Sequence, residues 1–187
     1  MICQLRYPHR PYDVRNRQGF IEKGYLTSLN KAVFLDRDGV INVDKGYVYK
    51  IEDFEYLEGA IDNLRKYQKL GFLLIVITNQ SGIARGYFTE EQYLALERWM
   101  ISDLRSKGIF ITACFYCPHL PDAIVPKYRC KCDCRKPGTA LFHKAAEMYD
   151  IDLSESIAIG DKARDLTICN ESGARGILLS NGWKDFG

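Results

Sequence analysis

Two short acidic groups and two isolated residues carry the chemistry this chain could do. Asp36-Arg37-Asp38-Gly39 sets two carboxylates two residues apart beside a glycine, and Asp161 is followed by Asp165. Carboxylates gathered in one place repel each other unless a cation lies among them. Hard oxygen donors with open coordination positions suit Mg²⁺. Thr78 adds a hydroxyl and Lys136 an ammonium. Magnesium, a lysine and a hydroxyl together are equipment for moving a phosphoryl group, where stabilising the charge on its oxygens is most of the task. Any one of these aspartates, alone after an apolar run, reads most simply as a cap. Three carboxylates, a hydroxyl and a lysine at one rim do not.

A second group is built of soft ligands. Cys117-Pro118-His119 is followed by Cys130, Cys132 and Cys134 in a loop that also carries Pro121 and Pro126. Cys117, His119 and two of the three later cysteines make a tetrahedral Cys₃His zinc site. The spacing leaves open whether Cys130 or Cys132 is used. Four protein ligands fill the coordination sphere, so such a zinc is structural. It would staple a turn-rich loop and fix Arg135 and Lys136, which follow directly.

The elements that must position these residues are legible as apolar runs. Residues 32–35, 72–77, 109–116, 156–159 and 176–179 are apolar without alternation, the pattern of strands covered on both faces. Helical spacing fills the gaps. Ala60, Leu64 and Tyr67 form one stripe, closed by Gly71. Thr89 and Gln92 make a capping box before Tyr93, Leu96, Met100 and Leu104, with a stop at Gly108. Leu141, Ala145 and Met148 form a third stripe, and 165–172 a short fourth helix. Strand and helix in turn predict an α/β fold, a doubly wound, mainly parallel sheet with right-handed crossovers. Ligands bind off the carboxyl ends of such strands. Asp36, Asp38, Thr78, Asn79 and Asp161 all stand there, and Lys136, just before the third helix, reaches the same rim.

These residues carry a resemblance. Phe34-Leu35-Asp36-Arg37-Asp38-Gly39-Val40 resembles the first motif of the haloacid dehalogenase (HAD) superfamily, D-x-D-G-[TV]. Thr78 matches its second motif, Lys136 its third, and Gly160-Asp161-Lys162-Ala163-Arg164-Asp165 its acidic fourth, in the family's order over residues 31–182. Cys-Pro-His and Cys-Asp-Cys-Arg-Lys-Pro are similar to the zinc-loop members, the histidinol-phosphate phosphatases and the D-glycero-D-manno-heptose 1,7-bisphosphate 7-phosphatases. Residues 36–48, residues 78–86 and the long zinc loop are more similar to the heptose family.

The resemblance implies a HAD-like Rossmannoid fold with no separate cap domain and a zinc loop at 117–134. It implies a sugar bisphosphate phosphatase that supplies precursors of ADP-heptose or GDP-heptose, as in lipopolysaccharide synthesis. Asp36 would be the nucleophile, Asp38 the general acid and base, and Thr78 and Lys136 the neutralising groups. Mg²⁺ would be held by Asp36, the main-chain carbonyl of Asp38, and Asp161. Asp165 would orient Lys136 or close the metal's outer shell. Zinc would be held by Cys117, His119, Cys132 and Cys134. Asp44, Lys45, Gly46, Tyr47, Asn79, Gln80, Ser81, Arg135 and Lys162 would line the substrate pocket, with Arg135 on the second phosphate.

Composition sets bounds on this reading. The chain has 187 residues, 47% hydrophobic and 27% charged, enough for one domain with a sizeable core. Its net charge of +2 argues against nucleic-acid binding by bulk charge. No apolar run approaches the ~20 residues that span a bilayer. Residues 1–30 are polar and basic, lack the apolar stretch of a signal peptide, and are expected to form an irregular extension to a phosphatase domain over 31–187. A cytoplasmic monomer acting on a small sugar phosphate is expected. The rival reading, a non-enzymatic zinc-binding module, rests on Arg6, Arg10, Arg15, Arg17 and the Cys/His loop.

Overall fold

The structure is a computed structural model and describes residues 29–180 and 182–183. Among these residues five strands, β1 (Ala32–Leu35), β2 (Leu73–Asn79), β3 (Ile111–Cys117), β4 (Ile157–Gly160) and β5 (Arg175–Leu178), form one sheet in the order β3-β2-β1-β4-β5. Every pairing is parallel. The helices are α1 (Ala60–Lys69), α2 (Ser81–Ala84), α3 (Glu90–Ser106), α4 (Ala140–Tyr149) and α5 (Thr167–Ser172).

The unbroken apolar runs have a simple cause. Side chains alternate across a strand, and here both faces are covered. Val33, Leu35, Leu74 and Val76 pack with Ala60 and Leu64 of α1 and Met100 and Leu104 of α3. Ala32, Phe34, Ile75 and Ile77 pack on the opposite face with Leu141, Phe142 and Ala145 of α4 and Ile168 of α5. Each of the larger side chains among them, fully buried, stabilises the fold by about 1.5–3 kcal/mol. The capping box of α3 is present: Thr89 N donates to Gln92 Oε1 at 2.8 Å, and Gln92 N donates to Thr89 Oγ1 at 3.2 Å.

Boundaries shift where hydrophobicity and strand pairing part company. β2 runs on through Thr78 and Asn79, so these residues lie in the strand rather than after it. β3 starts at Ile111, because Ile109 N closes α3 through Leu104 O at 2.9 Å, and it ends on Cys117. The helix expected over 165–172 is a 3₁₀ turn at Ala163–Leu166 followed by α5. The short α2, of four residues, is too brief to carry a periodicity.

The loop after β3 is held without strands or long helices of its own. Leu120, Ala123 and Tyr128 pack with Ile83, Ala84, Phe88 and Tyr93. Glu90 of α3 accepts from Tyr116 Oη at 2.8 Å, Tyr128 Oη at 3.0 Å and Lys127 Nζ at 3.2 Å.

The expected extension over 1–30 lies outside the described residues except for its last two. Asn30 is bound to the domain through Asn30 N to Asp150 O at 2.8 Å and Nδ2 to Tyr149 O at 2.7 Å. Among the described residues no helix is long and apolar enough to cross a membrane.

Candidate active site

Asp36 and Asp38 leave the end of β1, and two glycines let the acidic groups close on each other. A Cβ on Gly39, which has φ +80°, would meet Asp161 Cγ at 2.7 Å; a Cβ on Gly160 would meet Asp165 Cβ at 2.1 Å. Only glycine fits either position, so Asp161 can pack against the first motif and Asp165 beneath β4.

Lys136 organises the floor. Its Nζ lies 2.7 Å from Asp165 Oδ1 and 3.1 Å from Asp36 Oδ1, and donates to Ile77 O at 2.7 Å. Its main chain is clamped by Asn79, whose Oδ1 accepts from Lys136 N and whose Nδ2 donates to Lys136 O, both at 3.0 Å. Burial pushes the Asp36 carboxyl up to about 6; Lys136 opposes the rise, and Asp165 and Asp38 add to it. Thr78 is buried beside them and accepts from Gln80 Nε2 at 3.0 Å.

Asp38 is surrounded by donors. Arg37 Nη2 reaches Oδ1 at 2.7 Å and Oδ2 at 2.8 Å, Asn42 Nδ2 reaches Oδ1 at 3.0 Å, and Gln80 Nε2 reaches Oδ2 at 3.1 Å. Burial works against the Arg37 charge, but Asp38, Tyr93 and Asp36 outweigh it and hold the guanidinium above its ordinary range.

Above this floor opens a polar cavity of about 330 Å³. Asp36 and Asp38 stand at its base, with Asp44, Gly46, Tyr47, Asn79, Gln80, Ser81, Arg135 and Lys162 in its wall. Lys45 is outside that wall and pairs with Glu55 at 2.8 Å. Lys162 Nζ sits 2.7 Å from Asp161 Oδ2 and 3.4 Å from Asp44 Oδ2, and the bond to Asp161 raises its pKa.

Carboxylate oxygens of Asp36, Asp161 and Asp165 lie within 4.8 Å of one another. Among the described residues the buried Asp161 Oδ1 has no hydrogen-bond partner, which leaves a hard donor that fits a cation. Asp165 is committed to Lys136 and to Lys162 N, the latter at 3.0 Å. Asp36 and Asp161 therefore fit Mg²⁺.

The Cys/His group also converges. Cys117, Cys132 and Cys134 Sγ atoms lie 3.1–3.6 Å apart, and His119 Nδ1 is 3.4–3.6 Å from each. Four ligands around one tetrahedral zinc stand about 3.5–3.8 Å apart, given Zn–S and Zn–N bonds of about 2.3 and 2.0 Å. Cys130 is not among the four.

A HAD-hydrolase-like family model matches residues 133–185. D-glycero-alpha-D-manno-heptose-1,7-bisphosphate 7-phosphatase of Photorhabdus laumondii is 50% identical over 136 residues, 73% of this chain and 74% of that one. The chain belongs to the heptose-1,7-bisphosphate 7-phosphatase family of HAD hydrolases. The Escherichia coli D-glycero-beta-D-manno enzyme is 48% identical over 135 residues, 72% of this chain and 71% of that one. The crystal structure of D,D-heptose 1,7-bisphosphate phosphatase from B. bronchiseptica, complexed with magnesium and phosphate, superposes with a TM-score of 0.70 at 34% identity, over 79% of each chain.

Within this family site, sequence reasoning missed three arginines. Arg85 and Arg164 line the cavity, and Arg37 lies beneath it on Asp38. Arg37 was in view between two aspartates, and Arg164 within the fourth motif. Arg85 follows α2, whose shortness left no periodic signal.

Proposed function

We propose that this chain is a Mg²⁺-dependent phosphatase that removes the C7 phosphate of D-glycero-D-manno-heptose 1,7-bisphosphate. One observation carries the reading: in a chain about half identical, over nearly three quarters of its length, to enzymes named for that reaction, Asp36 and Asp38 stand at the base of a polar cavity lined by Arg85, Arg135 and Arg164, with Lys136 and Asp161 against Asp36 and Thr78 buried behind Gln80.

Asp36 attacks the C7 phosphorus, and the bond from phosphorus to the C7 oxygen breaks, leaving an aspartyl-phosphate. Asp38 gives its proton to the departing alkoxide. It then takes a proton from the water that attacks the phosphorus, the bond to Asp36 breaks, and inorganic phosphate leaves. Thr78 and Lys136 hold the phosphoryl oxygens and offset their charge. Mg²⁺, held by Asp36, Asp161 and the Asp38 carbonyl, would neutralise charge on the same oxygens. Zinc on Cys117, His119, Cys132 and Cys134 would fix the loop that presents Arg135 and Lys136.

Asp44, Gly46, Tyr47, Gln80, Ser81 and Lys162 face the sugar, whose hydroxyls need such polar contacts to set its orientation. Lys45 serves at the rim, and Asn79 acts by fixing Lys136. Arg135, which lines the cavity and whose buried Nη1 has no partner among the described residues, takes the C1 phosphate. The test is phosphate release from both anomers of the bisphosphate and from histidinol phosphate, with and without Mg²⁺. The bisphosphate is expected to be preferred, only with metal present. Preference for histidinol phosphate would overturn the substrate, and no Mg²⁺-dependent release the reaction.

A further inference from the structure

Arg37 is an expensive residue to bury, and the structure buries it almost completely. Its side chain is 1% exposed. Breaking water contact around a guanidinium is costly unless its donors are matched. Yet among the described residues Nη1 makes no hydrogen bond, and the donors in use converge on one carboxylate and one main-chain carbonyl. Nε and Nη2 reach Asp38, at 3.2 and 2.7 Å to Oδ1 and, from Nη2, 2.8 Å to Oδ2; Nη2 also reaches Val48 O at 2.7 Å. An arginine kept for stability alone would spend all its donors. This one spends them on a single carboxylate and on the loop that borders the cavity.

Behind Arg37 stands a buried wall. Its guanidinium carbon lies 5.7 Å from the centre of the Tyr93 ring, and Tyr93 Oη donates to Glu97 Oε2 at 2.6 Å. Tyr93 and Glu97 are each 1% exposed. Both stand on α3, one turn apart, which is the spacing that lets the carboxylate fix the ring. The Glu97 carboxyl is faced by Tyr93 and Arg98 from its own helix, Arg37 from the loop after β1, and Cys114 and Tyr116 from β3.

We propose that Arg37 is a positioning residue that aims the Asp38 carboxyl at the leaving oxygen, and that the Tyr93–Glu97 pair holds Arg37 in place. The proposal rests on the phosphatase reading above. Arg37 touches no reacting atom. A side chain with several rotamers is fixed by a planar fork that matches a carboxylate, as a lysine would not fix it. The Asp38 carboxyl then meets substrate without searching, and the proton is delivered along one line.

The test separates proton delivery from everything else through the leaving group. A sugar phosphate expels an alkoxide that needs the Asp38 proton. p-Nitrophenyl phosphate expels a phenolate that leaves without one. The ratio of kcat/KM on the two substrates reports the acid step and does not change with the amount of folded enzyme. Measured at saturating Mg²⁺, Arg37→Lys should lower that ratio tenfold or more. Glu97→Leu should lower it severalfold, and Glu97→Gln, which keeps an acceptor for Tyr93 Oη, should restore it. If Glu97→Leu does not fold, Tyr93→Phe replaces it, with the same severalfold loss expected.

Equal losses on both substrates, or an unchanged ratio in Arg37→Lys, would overturn the proposal. So would an equal deficit in Glu97→Leu and Glu97→Gln. The wild type judges the underlying reading separately. If it hydrolyses p-nitrophenyl phosphate and a hexose 6-phosphate but not the heptose bisphosphate, the substrate assignment falls, and the ratio is taken with the hexose phosphate. If it releases phosphate from none, the phosphatase reading and this proposal fall together.

Discussion

Lys136 Nζ lies 3.1 Å from Asp36 Oδ1 with only 2% of its side chain exposed, and the same ammonium is 2.7 Å from Asp165 Oδ1. One cation therefore holds two carboxylates together in a buried floor. Removing one member of a buried ion pair typically costs about 3–5 kcal/mol, because the other charges are left uncompensated. Lys136→Met should lose stability of that order in urea unfolding and lose phosphate release. A variant as stable as the wild type would mean that Mg²⁺-free Asp36 and Asp165 do not depend on this lysine.

Much of this floor was legible in the sequence, for a physical reason. The motif residues sit at strand ends, and strands buried on both faces are the loudest pattern a sequence carries. Asp36, Asp38, Thr78 and Asp161 could be placed on one rim from apolar runs alone. Arg37 could not, because an arginine between two aspartates reads as a solvated charge until burial is known. Lys45 and Asn79 show where such reading stops. Lys45, in the loop after β1, turns to Glu55, and Asn79, at the end of β2, lines the cavity while both ends of its amide bond the main chain of Lys136. Loop membership can be read from sequence; the direction of a side chain cannot. The choice of Cys132 over Cys130 likewise needed the resemblance, since both lie two residues from a neighbouring cysteine.

Asp36→Asn keeps the shape of the first motif and removes the oxyanion proposed as the nucleophile. It also removes the burial cost that raises the Asp36 carboxyl, and Lys136 keeps its pair with Asp165 at 2.7 Å, so the fold should be no less stable. Phosphate release should become undetectable while the melting temperature stays at or above that of the wild type. Substantial turnover in pure variant protein would remove Asp36 from the nucleophile's role.

The four soft ligands predict a metal count. Elemental analysis should find one zinc per chain in the wild type and in Cys130→Ala, and none in Cys117→Ala, Cys132→Ala or Cys134→Ala. Zinc loss should weaken turnover by releasing Arg135 and Lys136, while Mg²⁺ binding measured by calorimetry persists. Retention of zinc by Cys132→Ala and its loss from Cys130→Ala would exchange those two ligands.

Glu97 gives the fold a pH dependence of definite sign. Burial raises its carboxyl to about 7 from an ordinary 4.5. Below 4.5 the group is protonated in both folded and unfolded chains. Between 4.5 and 7 the unfolded chain loses the proton and the folded chain keeps it, so stability falls as pH rises, and above 7 the cost is constant. At ~1.4 kcal/mol per pH unit the full cost is about 3 kcal/mol. Glu97→Gln does not titrate. Its stability relative to the wild type should therefore grow by about that amount between pH 4.5 and pH 8 in denaturant unfolding. The same difference at both pH values would show that Glu97 ionises normally.

Selectivity can be tested at Arg135, which lines the cavity with one buried nitrogen unpartnered among the described residues. If that guanidinium holds the C1 phosphate, a bisphosphate gains a charge-assisted bidentate contact that a monophosphate lacks. Such a contact contributes about 1.5–3 kcal/mol, or roughly ten- to a hundredfold in specificity. The C7 phosphate sits on a primary carbon at the end of a flexible arm, so it can reach Asp36 while the ring and the C1 phosphate stay at the rim. Hydrolysis should then occur at C7, and the 1-phosphate product should be a poor substrate. Arg135→Ala should lower kcat/KM for the bisphosphate by that factor and change it little for p-nitrophenyl phosphate. Equal losses on the two would place Arg135 at the reacting phosphate or in the fold instead, because only a contact with the distal group can be felt by one substrate and not by the other.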